Sequence, residues 1–365
     1  MSLHSGQPNT HQEPPPSPSG RGRRSYLGLL RYLGRRLILT VIMLIGITLV
    51  TFTLTNLVPG DPVAAALGQR AADDPAIVER FRQEFGLDKP LPEQYIAYLG
   101  RLIHLDLGMS WQTRRPVAQD LERAIPATME IALTAISMSV IIGLLFGAIA
   151  AHKRGRITDQ VLRLISLLGM SVPTFWTAIL SFYLFYYRLG IAPGSGRLTP
   201  GTPAPPRVTG MYTLDALLAG RWSTFVDAAA HLALPSLVLT LFTVGLLTRF
   251  SRMSFLEVLD KDFIRAAHAK GLPNRTVFFR YTLRAAAIPI LTLIGLAFGS
   301  LLSGTVLVES IFSWPGLGSY AYQSASRLDL LAVMGVGLFV GVVYLTINLV
   351  IDILYGFIDP RVKVG

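Results

Sequence analysis

No cysteine occurs in the 365 residues, which excludes disulfide frameworks, thiolate nucleophiles and cysteine-based metal sites. Charge is also scarce. Asp, Glu, Lys and Arg make up 15% of the chain where an ordinary soluble domain carries about 25%, whereas 51% is hydrophobic. Catalytic signatures are missing too. There is no GxxxxGK[ST] phosphate loop and not even a Gly-Lys pair, and HExxH, GxSxG and GxGxxG are absent as well. An intramembrane protease needs paired acids or a Ser-His pair within apolar segments, and neither exists here. Of six histidines only His231 lies in an apolar run, where a lone imidazole reads as a hydrogen-bonded packing residue. What the chain has in quantity is long hydrophobic runs and a net charge of +11.

A bilayer core about 30 Å thick is crossed by roughly 20 apolar residues in a helix. Six runs free of Asp, Glu, Lys and Arg have that length: 37–58, 131–151, 164–187, 228–248, 285–308 and 330–351. They predict an all-α polytopic membrane protein with six transmembrane helices. Residues 1–36 carry six Arg against one acid, and the first eighteen are rich in Pro, Ser, Gln and His, so a disordered basic cytoplasmic tail is expected. Ala64-Ala65-Ala66 follows the first run in the manner of a signal-peptide cleavage site. A run of 22 residues exceeds the 7–15 of a signal core, so the span is expected to be retained.

The distribution of Lys and Arg orients the spans. The tail holds six, residues 151–163 hold four, 249–284 hold eight, and two follow Asp352. The intervening short connection 309–329 holds one, and the long segments 59–130 and 188–227 are exempt from the charge rule. Both termini are therefore predicted in the cytoplasm. Residues 59–130 then form an extracytoplasmic segment, in which "FGLDKPLPEQYIAYLGRLIHLDLGMSW" reads as short amphipathic helices with Gly and Pro stops.

The stretch "DFIRAAHAKGLPNRTVFFRYTLRAAAIP", residues 262–289, falls in the cytoplasmic connection 249–284. Phe255, Val258, Leu259, Phe263, Ala266 and Ala267 recur at helical spacing and predict one apolar stripe, with Arg252, Lys261, Arg265 and Lys270 off it. Gly271 supplies a stop, and Pro273 with Asn274 a restart. Three readings compete: a solvated loop whose charges only fix topology, a DNA-binding helix-turn-helix, and a docking corner for a cytoplasmic partner. Both ends enter bilayer spans almost at once, which keeps a recognition helix from a DNA groove and argues against nucleic acid.

Several motifs occur in order: "LVPGDPVAAALG" after the first run, "FGLDKPLPEQYIAYL" and "DLGMSW" outside, "IPATMEIAL", "SVPTFWTAIL", "ESIFSWPGLGSYAY" and the terminal "IDILYGFIDPR". With Arg265-Ala266-Ala267 followed four residues later by Gly271, they resemble the permease subunits of ATP-binding-cassette importers. The likeness is to the first-permease (B-type) subunit of the dipeptide/oligopeptide (peptide/nickel) branch. Arg265 stands where the general cytoplasmic EAA motif has Glu.

The resemblance implies the type I importer permease fold, with residues 131–365 as its transmembrane core. It implies a second homologous permease, two ABC ATPase subunits that use ATP and Mg, and an extracytoplasmic substrate-binding protein as partners, with no cofactor bound by this chain. The coupling loop would engage the ATPase through Arg265, Ala266, Ala267, Lys270, Gly271, Leu272, Pro273, Asn274, Arg275, Val277, Phe278 and Arg280. Di- or oligopeptides are the implied cargo, with nickel chelates or glutathione as alternatives. A stand-alone channel or basic membrane anchor is the competing class. For a translocation path, Pro173 and Pro235 can free backbone carbonyls, and Ser171, Thr174 and Trp176 offer polar and stacking surface. Glu130, Glu309 and Asp352 sit at span ends, the latter two read as structural.

Overall fold

The computed structural model describes residues 21–57, 68, 73–86 and 88–358. Among them there is no strand, only an isolated bridge between Met109 and Pro116. Helix α1 (Arg21–Leu57) is followed by two short helices, α2 (Pro75–Phe85) and α3 (Leu91–Ile103). The long α4 (Val117–His152) leads to α5 (Ile157–Ser171) and α6 (Thr174–Ser181), the latter continuing as a π-helical stretch Phe182–Arg188. After α7 (Tyr212–Leu218) come α8 (Trp222–Leu259), α9 (Asp262–Ala269), α10 (Leu283–Ile311), α11 (Leu317–Ser326) and α12 (Leu330–Ile358).

Among the described residues four helices are long and apolar enough to cross a bilayer: α4, α8, the helix Asn274–Ile311 that contains α10, and α12 over Leu330–Gly356. The bent pair α5–α6 provides a fifth such segment, and α1 contributes the shorter apolar stretch Ile38–Leu54. Of the short helices between α1 and α4, α2 starts on an Asp74 side chain that accepts from the Ala76 N–H at 2.9 Å, and it stops at Gly86 with φ 66°. These are the Gly and Pro punctuated helices expected of that segment.

Three expectations need correction. Residues 21–36, predicted as disordered tail, are helical; once an apolar segment nucleates a helix, each further residue adds a hydrogen bond, and Arg and Leu extend it cheaply. Residues 1–20 of that tail lie outside the described residues, as do most of "LVPGDPVAAALG" with Ala64–Ala66, and the last seven residues. The second span does not begin at 131, because α4 starts at Val117. Its first turns bury Val117, Leu121 and Ala124 against Leu317, Ala332 and Val336, so a stretch too polar to read as membrane still packs.

The third span is no straight crossing either. α5 and α6 meet at 95°. Pro173 lacks the N–H that would continue the ladder and pushes Val172 into extended geometry, φ −91° and ψ 127°. Pro235, by contrast, sits inside an unbroken α8.

α4 and α8 form the central pair. Gly143 and Gly147 stand one turn apart on α4, and a Cβ on Gly143 would come within 2.6 Å of the Leu247 Cβ, while one on Gly147 would collide with the Ser251 side chain. Small residues at this spacing let the two backbones approach closely, the usual means of helix association in lipid. The same device joins α1 to α12, where Gly337 and Gly341 receive Thr51 and Ile47. The main core fills the space between α4, α8 and α10 with Ile131, Ala135, Val238, Ala297 and Leu301 and is closed by Trp314.

Candidate docking corner and its supports

The 249–284 connection is a helix, a break, a second helix and a sharp corner. α8 ends at Leu259, and Lys261 is extended at φ −78°, ψ 149° before α9 begins. α9 ends in a Schellman motif: the Gly271 N–H donates to the His268 carbonyl at 2.9 Å and the Leu272 N–H to the Ala267 carbonyl at 3.3 Å. Gly271 takes φ +73°, and nothing lies within 4 Å of where its Cβ would be. Its backbone conformation, not crowding, is what calls for glycine there. Pro273, at φ −66° and ψ 145°, turns the chain into Asn274–Thr276 and a π-helical stretch Val277–Thr282 that runs into α10.

The break at Asp260–Lys261 resets the helical phase, which overturns the single predicted stripe. Phe255, Val258, Ile264 and Ala267 are buried, whereas Phe263 and Ala266 are exposed. The twelve predicted docking residues therefore divide. Arg265, Ala266, Lys270, Gly271, Pro273, Asn274, Arg275 and Arg280 are exposed, and Leu272 and Phe278 are half-buried. Ala267 and Val277 face inward, packed with Ala151, Phe255, Ala286 and Ile290, so they root the corner in the ends of α4, α8 and α10 and have no free surface to dock with. Phe279, inside the predicted corner but not among the twelve named residues, is 60% exposed beside Arg280. Its adjacency to the inward Phe278 was the available signal, since consecutive residues on a helix face apart.

Arg265 donates to the Asp260 carbonyl at 3.2 Å and stands 3.4 Å from the Asp262 carboxylate, all on the surface. Beneath the corner, Arg252 grips Asp159 of α5 with two parallel bonds, Nε to Oδ1 at 2.7 Å and Nη2 to Oδ2 at 2.8 Å. The Gly155 N–H adds a third donor at 3.0 Å. A bidentate, largely buried pair of this kind fixes geometry as well as distance, so it braces α5 against α8 directly below the corner.

At the opposite end of the helices lies a buried polar knot. Glu130 accepts from Arg197 Nη2 at 2.6 Å and from the Thr213 N–H and hydroxyl at 2.7 Å each. Arg197 also donates to the Gly210 carbonyl at 2.8 Å and lies over the Tyr212 ring, 3.6 Å from its centroid. Next to it, Thr128 donates to Glu309 at 2.5 Å, the Ser319 N–H donates to the other Glu309 oxygen at 2.9 Å, and Trp314 Nε1 donates to the Ala127 carbonyl at 2.9 Å. The motifs "IPATMEIAL" and "ESIFSWPGLGSYAY" are thus two halves of one hydrogen-bonded joint. Glu309 lies within this joint, bonded to Thr128 and Ser319. His231 is buried with Nδ1 at 2.9 Å from the Asp227 carbonyl.

The residues expected along the path gather at the α5–α6 bend without forming a polar lining. The Ser171 hydroxyl is spent on the Leu167 carbonyl of its own last turn at 2.7 Å. Pro173 is exposed, Thr174 half-buried, and Trp176 52% exposed.

Residues 143–364 match the model of the family described as binding-protein-dependent transport system inner membrane component, and residues 29–132 match the model of its N-terminal region. The chain is 43% identical over 325 residues to a probable D,D-dipeptide transport system permease protein of Escherichia coli (strain K12), covering 89% of this chain and 95% of the relative. It is 42% identical over 335 residues to a di/tripeptide transport system permease protein of Pseudomonas aeruginosa (strain UCBPP-PA14), covering 92% and 99%. A dipeptide transport system permease protein of Escherichia coli (strain K12) is 38% identical over 338 residues, covering 92% and 99%.

Proposed function

This chain belongs to the family of binding-protein-dependent transport system inner membrane components, multi-pass proteins of the inner membrane, and from that membership we propose that it is a peptide-importer permease subunit. It pairs with a second, homologous permease to enclose a path for di- or oligopeptides. The relatives' names favour such cargo over nickel chelates and glutathione. Both termini face the cytoplasm and the chain crosses six times, with α1 as the first crossing and the bent α5–α6 pair as the third. Two ATPases dock on the α9 corner, and an extracytoplasmic binding protein delivers the peptide.

The observation that carries this reading is the corner itself. Its outer surface holds Arg265, Lys270, Arg275 and Arg280 with the apolar Phe279 among them, whereas its inner face, through Ile264, Ala267 and Val277, is packed on membrane helices. A partner that pushes on the outside moves α8 and α10 as one body, the rigid-body transmission that alternating access requires. The test is copurification together with uptake. The tagged chain is expected to bring down a second permease and ATPase subunits, and cells carrying Arg275→Glu are expected to insert the chain normally yet lose dipeptide uptake. Recovery of the chain alone, with unchanged uptake by the variant, overturns the assignment.

A further inference from the structure

A cavity of about 250 Å³ lies between α1, the α2–α3 segment and the start of α12. One side of its wall is polar and positively charged, with Asn56, Gln83, Lys89 and Arg101. The other side is Phe52, Leu330, Leu331 and Met334. Among the described residues no acid lines it, and neither Lys89 nor Arg101 forms an ion pair. Tyr98 also lines the cavity. It is 3% exposed, and its hydroxyl is buried with no hydrogen-bond partner among the described residues. A buried hydroxyl costs free energy unless something bonds to it. Burial also pushes its pKa up, to about 12, so it stays protonated and available as a donor.

Against this chamber, sharing Phe52 and Asn56 with it, runs a second groove of about 420 Å³. Its walls are Leu49, Leu57, Leu91 and Ile96. These side chains are between 45% and 75% exposed, Leu49 and Leu57 on α1, which carries the apolar stretch Ile38–Leu54, and Leu91 and Ile96 on α3. Exposed apolar side chains of this kind suit lipid chains. α3 lies beside the groove as an amphipathic helix with Leu91, Ile96 and Ile103 exposed, the pattern of a helix resting in the membrane interface.

We propose that the chamber and groove together form a binding site for one anionic phospholipid. Its phosphate is held by Lys89 and Arg101, its headgroup accepts from Tyr98, and an acyl chain lies along Leu49, Leu57 and Ile96. Charge and shape select this occupant. A zwitterionic lipid brings an ammonium to two cations, and a free anion leaves the apolar groove empty. The site lies where α1 packs on α12 through Gly337 and Gly341, so the lipid fastens the first span to the rest of the chain. The inference does not depend on which cargo is carried.

The test is native mass spectrometry of the full-length chain in detergent, titrated with phosphatidylglycerol, phosphatidylcholine or inorganic phosphate. Phosphatidylglycerol is expected to bind at one preferred site, and phosphatidylcholine to show no such preference. Lys89→Gln with Arg101→Gln should weaken phosphatidylglycerol ~30-fold, as two lost interfacial cations imply. Both side chains are exposed, so the variant is expected to keep the fold. Tyr98→Phe should weaken it less, and Ile96→Gln should weaken long-chain phosphatidylglycerol while sparing its dibutyryl form. Equal affinity in the double variant overturns the proposal. So does equal binding of phosphatidylcholine, or full competition by inorganic phosphate, which indicates a simple anion site. Displacement of the lipid by a dipeptide, or its exclusion in a purified complex with a second permease, assigns the cavity to cargo or to a protein interface and overturns it too.

Discussion

The two ends of this molecule handle charge in opposite ways. At the outer knot Glu130, Arg197 and Glu309 are each less than a tenth exposed and bonded from several directions. At the α9 corner Arg265, Lys270, Arg275 and Arg280 all project into solvent, and the backbone turns at a Gly271 with open space around it. Buried charge bonded on several sides favours one arrangement and makes others expensive. Exposed charge over a rooted base specifies nothing by itself and is free to meet a partner. The knot therefore holds the helices together, and under the proposed function the corner is where force enters.

The contrast breaks most visibly at Arg197. Removing it with Arg197→Ala leaves the Glu130 carboxylate buried without its cation, a loss of about 3–5 kcal/mol. Thermal unfolding in detergent should show the drop, whereas Arg280→Ala at the corner should leave the midpoint in place. If the two variants behave alike, the distinction between a structural end and a docking end fails.

At the corner the largest effect is expected from Gly271→Val. A β-branched residue forced to φ +73° costs about 1–2 kcal/mol of local strain, and no neighbour clashes with it. Relief of that strain opens the Schellman turn and shifts the corner relative to its base. Uptake should fall far more than stability does. A full loss of folded chain, or uptake at the level of the parent, removes Gly271 from the transmission path.

Much of this division was legible in the sequence and some was not. Apolar runs located the long apolar helices, because a bilayer imposes a length on them. Gly271 and Pro273 located the corner, because each constrains the backbone locally. The bend at Pro173 was visible as a proline, but composition alone does not report an angle of 95°. The phase of the corner helix was misread because the break at Asp260–Lys261 falls between residues that fit either helix. The Glu130–Arg197 pair joins residues 67 apart, one of them in a Pro-rich loop, and nothing local marks such a partnership. Gly143 with Gly147 and Gly337 with Gly341, in contrast, were there to be read as crossing points.

A smaller effect tests the outer end through pH. Asp215 is buried beside the knot, and burial alone would raise its pKa. The Thr209 N–H and hydroxyl and the Gly210 N–H, each at 2.8 Å, with the Val208 N–H at 3.3 Å, outweigh that and hold it below the usual carboxylate value. A depressed folded pKa contributes stability that is fully present above the unfolded value, about 3.9, and is lost as pH falls through the lower folded one. The gap in thermal midpoint between the parent and Asp215→Asn should therefore be constant near neutral pH and close below about pH 4. A gap independent of pH down to 2 assigns Asp215 a packing role alone.

The smallest expected effect is at Arg265, and it sharpens the comparison because this residue stands in for the Glu of the general motif. Its guanidinium reaches Asp260 and Asp262 of its own segment, with both side chains of the ion pair largely in water. Pairs of that kind add little to stability, since solvent screens them and two long side chains lose freedom to form them. Arg265→Ala should leave the unfolding midpoint unchanged. If the contacts to Asp260 and Asp262 are also its main occupation when a partner docks, uptake should stay near the parental level while Arg275→Glu abolishes it. The reverse result, uptake lost in Arg265→Ala and kept in Arg275→Glu, moves the docking surface from the Gly271 turn back onto α9, where Ala266 and His268 are its exposed neighbours.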